Sequence, residues 1–127
     1  PSLTSEGVEI KVETFYQPEY SHPLQQEFMF AYRITLENHN RFAVQLLRRH
    51  WHIFDTIGEY REVDGDGVVG QQPVLAPGEV FQYVSGCNLK SEMGQMSGHY
   101  EMTNLASNTL FNVPIPAFDL ISTTKFN

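Results

Sequence analysis

Hydrophobic and polar residues alternate along most of this chain. Val8, Ile10 and Val12 are separated by Glu9, Lys11 and Glu13, the period of a strand with one buried face. Phe28, Phe30, Tyr32, Ile34 and Leu36 form the longest run of a single parity. A third strand covers 43–55, but its phase changes. Val44 and Leu46 share one parity, whereas Leu47, Trp51 and Ile53 share the other. Such a change predicts a bulge at Leu46–Leu47 and puts Trp51 in the core. Tyr60–Val63, Val80–Ser85, Gln95–Met102 and Thr109–Ile115 read as further strands, and Val68–Leu75 as a short irregular extended stretch.

Turn signals separate these runs. Glu37–Asn40, Ile57-Gly58, Asp64-Gly65, Asp66-Gly67, Ala76-Pro77-Gly78 and Asn104–Asn108 each predict a reversal, and Gly86–Met93 reads as a polar loop. Pro114 and Pro116 place the end of the last strand at a sheet edge. No stretch sustains a helical period. About seven or eight short strands with regular turns predict an all-β, immunoglobulin/fibronectin type III-like β-sandwich.

The 127 residues suit one domain, with flexible ends expected at about 1–7 and 121–127. A formal charge of −7 disfavours nucleic-acid binding by a general basic field, although Arg33, Arg41, Arg48 and Arg49 could form a local patch. Cys87 is the single cysteine, so no intramolecular disulfide forms and a reducing compartment fits. No apolar run reaches the ~18 residues of a membrane span, and the first residues lack the basic and apolar regions of a signal peptide. These features predict a soluble cytoplasmic protein without membrane insertion.

Gly65-Asp66-Gly67-Val68-Val69-Gly70 spells G-x-G-x-x-G. In dinucleotide-binding folds the motif opens a helix whose N-terminus holds the pyrophosphate. Here Gln71-Gln72-Pro73 and Ala76-Pro77-Gly78 follow, so no helix can form. A backbone nest could still bind phosphate or pyrophosphate, helped by Arg48 or Arg49. The plainer reading gives the three glycines positive φ in tight turns, and Asp64 and Asp66 would repel a phosphate unless a cation intervened.

Several blocks together resemble the ApaG family, also called the DUF525 domain. They are Phe30-Ala31-Tyr32, Ile34–Asn38, Val44–Trp51, Gly65–Pro73, Pro77-Gly78-Glu79, Tyr83–Cys87 and Ile115–Phe118. The likeness spans about Val8 to Leu120. It implies a fibronectin type III-like fold and a bacterial family linked genetically to cobalt resistance and magnesium efflux. It also implies relatives in eukaryotic F-box proteins and in a DNA-polymerase-delta-interacting protein, where protein binding is usual. The resemblance brings no established catalytic residues.

Two metal readings arise from the residues. Glu62-x-Asp64-x-Asp66-Gly67 starts like a calcium loop, but Pro73 stands in the stretch where its bidentate acid is needed. A hydrated divalent site, or simply a solvated acidic turn, remains. His50 and His52 lie two apart on one strand face and could offer imidazoles to zinc or cobalt, with His99 or Cys87 as a third ligand. The plainer reading has one histidine buried beside Trp51 and the other exposed. Ser85-Gly86-Cys87 lacks a nucleophile-elbow context. Phe15–Tyr20, read as a loop with two tyrosines and Pro18, suits a contact surface.

The sequence therefore predicts a non-catalytic binding module, monomeric or homodimeric, for a protein partner it does not identify. The alternative is a sensor of a divalent cation or phosphate/pyrophosphate at Glu62–Gly70. No cofactor is expected beyond a loosely held divalent cation.

Overall fold

Cross-strand pairing carries most alternating segments beyond their apolar stretches. The computed structural model describes residues 1–123, which form nine strands. These are β1 (Ser2–Ser5), β2 (Val8–Tyr16), β3 (Phe28–Asn38), β4 (Val44–Asp55), β5 (Glu59–Asp66), β6 (Val74–Leu75), β7 (Val80–Leu89), β8 (Met93–Asn104) and β9 (Thr109–Ile121). One antiparallel sheet has the order β1-β2-β3-β7 and the other β5-β4-β8-β9, with β6 pairing to the first part of β4. The fold is an all-β sandwich.

Several elements differ from expectation. Ser2–Ser5, placed in a flexible end, pairs with β2 from Ser2↔Lys11 to Ser5↔Val8. Phe15 and Tyr16, assigned to a loop, close β2 opposite Ala31 and Phe30. Asp64-Gly65 lies inside β5 rather than in a turn, because β4 supplies partners through Arg48↔Asp66. Gly86–Leu89, assigned to a loop, continues β7 opposite Ala31–Phe28. β9 runs on past Ile115 to Ile121, and it is an edge strand, as its prolines required. Of the expected C-terminal flexible end, residues 124–127 lie outside the described residues.

The inward faces form one core. β3 contributes Phe30, Tyr32, Ile34 and Leu36, and β8 contributes Met96, Tyr100 and Met102. Trp51 is 2% exposed and meets Tyr32, Phe118 and Tyr100 edge-on or tilted, at centroid distances of 5.4, 5.8 and 6.5 Å. The predicted bulge is present: pairing of β4 with β8 slips between Leu46 and Arg48. This slip turns Val44 and Leu46 inward before it and Trp51 and Ile53 inward after it. Gly98 sits where β8 crosses closest to β4, and a Cβ there would lie 2.0 Å from the His50 carbonyl oxygen.

The two sides of the sandwich differ. On one, β1 and β2 contact β9. On the other, edge strands β5 and β7 face each other across a groove. The groove is clasped at one end by Arg61 of β5, whose Nη2 donates to the Asn88 carbonyl at 2.7 Å. Asp55, 2% exposed, reinforces that end by accepting from Lys90 N–H at 2.6 Å and Ser91 Oγ at 2.5 Å.

Candidate functional site

Strand geometry sends neighbouring residues of β4 to opposite faces. Arg48, His50 and His52 point out of the sandwich, whereas Arg49, Trp51 and Ile53 point in. The expected site residues therefore divide into two separate groups.

The inner group lines the groove. Two adjoining hollows of about 260 and 330 Å³ share Tyr32, Arg49, Trp51 and Ser85. The first also touches Val68–Gly70 and Tyr83, and the second Arg61, Val63 and Cys87. Arg49 Nη1 donates to the backbone oxygens of Asp66 at 3.0 Å and Gly67 at 2.9 Å. Among the described residues, neither Arg49 nor Arg61 is ion-paired to a carboxylate, whereas Arg33 and Arg48 both are. Behind them the Tyr83 and Tyr100 hydroxyls share a 2.5 Å hydrogen bond. Burial pushes both phenols, and that of Tyr32, above the ordinary tyrosine range, so all three stay neutral. Burial likewise raises the Cys87 thiol, against the opposing pull of Arg61, and a thiol so placed is a poor nucleophile.

The glycine loop bridges β5 to β6. Gly67 N–H donates to Leu47 O at 2.8 Å, and Val68 and Gln71 exchange backbone bonds of 2.8 and 2.9 Å. Gln72 Nε2 also reaches Leu47 O, so the loop captures the carbonyl exposed by the bulge. Val69 (φ 43°) and Gly70 (φ 79°) form the centre of the Val68–Gln71 turn. Both positive values fit a type I′ reversal. Gly67 has φ 62°, but Gly65 lies in β5 without a positive φ, which corrects that part of the expectation. Since the Gly67 and Val68 amides are already bonded, they are not free to cradle a phosphate.

The outer group contains Arg48, His50 and His52 of β4, with Glu62, Asp64 and Asp66 directly opposite on β5. Arg48 bonds Asp64 at 3.1 Å and Asp66 at 2.5 Å. Arg48 thus draws both carboxylates to the outer face and offsets one of their two charges, which lowers the expected repulsion of an anion near Arg49. His50 Nε2 and His52 Nδ1 lie 3.1 and 3.3 Å from Glu62 Oε1. The His50 hydrogen bond, aided by Tyr60 and His52, holds the Glu62 carboxyl below its usual range despite partial desolvation. His99 stacks on His50 at 5.4 Å, whereas Cys87 belongs to the other sheet. The candidate loop therefore splits: Arg49, Asp66 and Gly70 border the groove, whereas Arg48 lies on the outer face.

The expected contact segment lies at another end. Tyr20 closes the short 3-10 turn Pro18–Tyr20 and lines a third hollow with Phe28, Met29 and Leu89. No helix among the described residues is long and apolar enough to cross a membrane.

Comparison with known proteins agrees with this fold. The ApaG domain (DUF525) matches residues 18–104. Protein ApaG of Acidithiobacillus ferrooxidans is 48% identical over 120 residues, covering 94% of each chain. Protein ApaG of Proteus mirabilis is 44% identical over 125 residues, covering 98% of this chain and 99% of the relative. A crystal structure from Bordetella pertussis that carries the name ApaA superposes with a TM-score of 0.88 at 42% identity, covering 93% of this chain and 95% of that one. With a domain match over most of its length and relatives this similar from end to end, the chain belongs to the ApaG family.

Proposed function

We propose that this protein is a non-catalytic binding module that takes an extended acidic segment of a protein partner into the groove between β5 and β7. The observation that carries the reading is the pair Arg49 and Arg61. The chain has 15 acidic and eight basic residues, yet the hollow that these two guanidiniums share is lined by no acidic residue, and Asp66 beside the adjoining hollow is ion-paired to Arg48. Guanidiniums favour carboxylate partners through charge-assisted, bidentate bonds, and Arg49 is half-buried whereas Arg61 is exposed at the groove's rim.

The groove wall favours an extended ligand over a small one. Val80-Phe81-Gln82-Tyr83-Val84-Ser85 is an edge segment without charge or proline. Natural edges usually carry such protection. Its free backbone groups can pair with an added strand, and acidic side chains of that strand would then meet the arginines. The strained turn at Val69 supports the same place, because an exposed β-branched residue at positive φ is costly and such strain concentrates at binding sites. A reading as a phosphate nest is weaker here, since its leading amides are bonded internally.

An array of extended peptides differing in Asp/Glu content, probed with labelled protein, tests the reading. Acidic, β-prone peptides should bind, and Arg49→Ala and Arg61→Ala should each weaken binding about tenfold or more, in line with lost charged hydrogen bonds. Binding indifferent to peptide charge and to both arginines would refute it.

A further inference from the structure

We infer that His50, His52 and Glu62 form a binding site for a zinc-class divalent ion on the outer face of the second sheet. The three donor atoms, one from each side chain, all lie within 4.8 Å of one another. His50 and His52 project from the same face of β4, and Glu62 sits directly across from His52 on β5. Two adjacent, fully paired strands thus fix the ligands, so assembling the set needs side-chain rotation alone.

The distances match the task. A tetrahedral ion with bonds of about 2.0–2.1 Å separates its ligands by about 3.3 Å. The two nitrogen-to-carboxylate separations are 3.1 and 3.3 Å. Two imidazoles and one carboxylate are also a donor set of borderline softness, suited to zinc, cobalt or nickel. Magnesium and calcium prefer oxygen alone. The surroundings support the rings. His99 stacks on His50 at 5.4 Å with an interplanar angle of 22°, and the Tyr60 hydroxyl on His52 Nδ1 is the bond that an ion at that nitrogen would displace. Asp64 stands 3.9 Å from His50 Nδ1, within reach as a carboxylate orienting the ring once a metal holds Nε2. Each ligand is partly exposed, which leaves a position for water or for a donor from outside the chain.

A second cluster, Glu9, Glu37 and His39, brings its donors equally close but offers only one imidazole. Glu9 and Glu37 are direct cross-strand partners, and His39 lies 3.2 and 2.9 Å from them. That arrangement relieves like-charge repulsion and gives an internal control.

The test is titration of the tag-free chain with Zn²⁺ by calorimetry, and with Co²⁺ by visible absorption, which reports coordination geometry. One equivalent should bind, with the intense visible bands of low-symmetry four- or five-coordinate Co²⁺. His52→Ala and Glu62→Gln should each lower affinity about 10–100-fold or more, whereas His39→Ala should leave it unchanged. Circular dichroism checks that each variant folds, and imidazole NMR signals of the wild type should shift at His50 and His52. Absence of saturable binding would overturn the inference, as would binding insensitive to His52→Ala and Glu62→Gln.

Discussion

Trp51→Ala is the sharpest test of which face of β4 points inward, because Trp51 lies between the two histidines of one site and beside the arginine of the other. The indole is 2% exposed and touches three aromatic rings at 5.4–6.5 Å. Removing it deletes the burial of a large side chain and those ring contacts, and the surrounding strands can collapse only in part. The expected cost is about 3–5 kcal/mol. For 127 residues the unfolding entropy is about 0.27 kcal/mol/K, so the midpoint should fall by about 11–19 °C. Thermal melts followed by far-UV circular dichroism measure this, since the variant lacks the only tryptophan. Trp51→Phe should recover roughly half of the loss by refilling much of the cavity. A midpoint within about 3 °C of wild type would exclude a buried Trp51, as would wild-type fluorescence typical of indole in water. His50 and His52 would then face the core, and both sites would fall.

Other expectations follow from single positions. Asp55 is held below the usual carboxylate range: burial alone would raise it, but bonds from the Ser91 hydroxyl and the Lys90 and Ile57 amides outweigh that. The unfolded chain then binds this proton near pH ~3.9 and the native chain only at lower pH, so stability falls as acid is added below about pH 4. Asp55→Asn should cost about 1.5–3 kcal/mol at neutral pH and flatten the acid limb of a stability–pH profile; an unchanged limb would count against the assignment. Val69→Asn should stabilise the protein by about 1 kcal/mol in denaturant titrations, because asparagine accepts the positive φ that valine resists. Gly67→Ala should cost more than about 1 kcal/mol, since its Cβ would lie 2.2 Å from Gln71 O. Gly65→Ala would meet only the movable Arg49 guanidinium, so it should spare the melting temperature, and equal losses would contradict the distinction. Cys87 should react with iodoacetamide far more slowly in the native than in the unfolded chain, and equal rates would exclude the burial described.

Much of this architecture is written in parity. The Leu46–Leu47 phase change locates the bulge, and the bulge is what places Trp51 inside and both histidines outside. Strand limits were less legible wherever pairing, not pattern, decides them. Ser2–Ser5 has no alternating apolar set and is ordered by β2. Asp64-Gly65 signals a turn locally, but the long β4 hairpin overrides it. Asn88 and Gly86 hide the end of β7 because one face of an edge strand needs no apolar residues. Arg48 and Arg49 look like one basic pair in the sequence, although adjacent strand residues must part. Arg61 is marked in the sequence only by its shared parity with Val63, which faces Trp51 across the β4–β5 pair. Glu62 completing the histidine pair depends on the β4–β5 register, which a turn placed at the wrong Asp-Gly conceals.

Binding of an extended acidic segment in the β5–β7 groove, as proposed above, should be visible residue by residue. Amide NMR of ¹⁵N-labelled protein, titrated with an acidic β-prone peptide and with a neutral copy in which each acid is its amide, tests it most directly. The acidic peptide should give saturable shifts at Gln82–Ser85, at Arg49 and at Val68–Gly70, with slowed hydrogen exchange along β7, and the neutral copy should give little response. Shifts confined to the Tyr20–Phe28 end, or equal responses to both peptides, would contradict it.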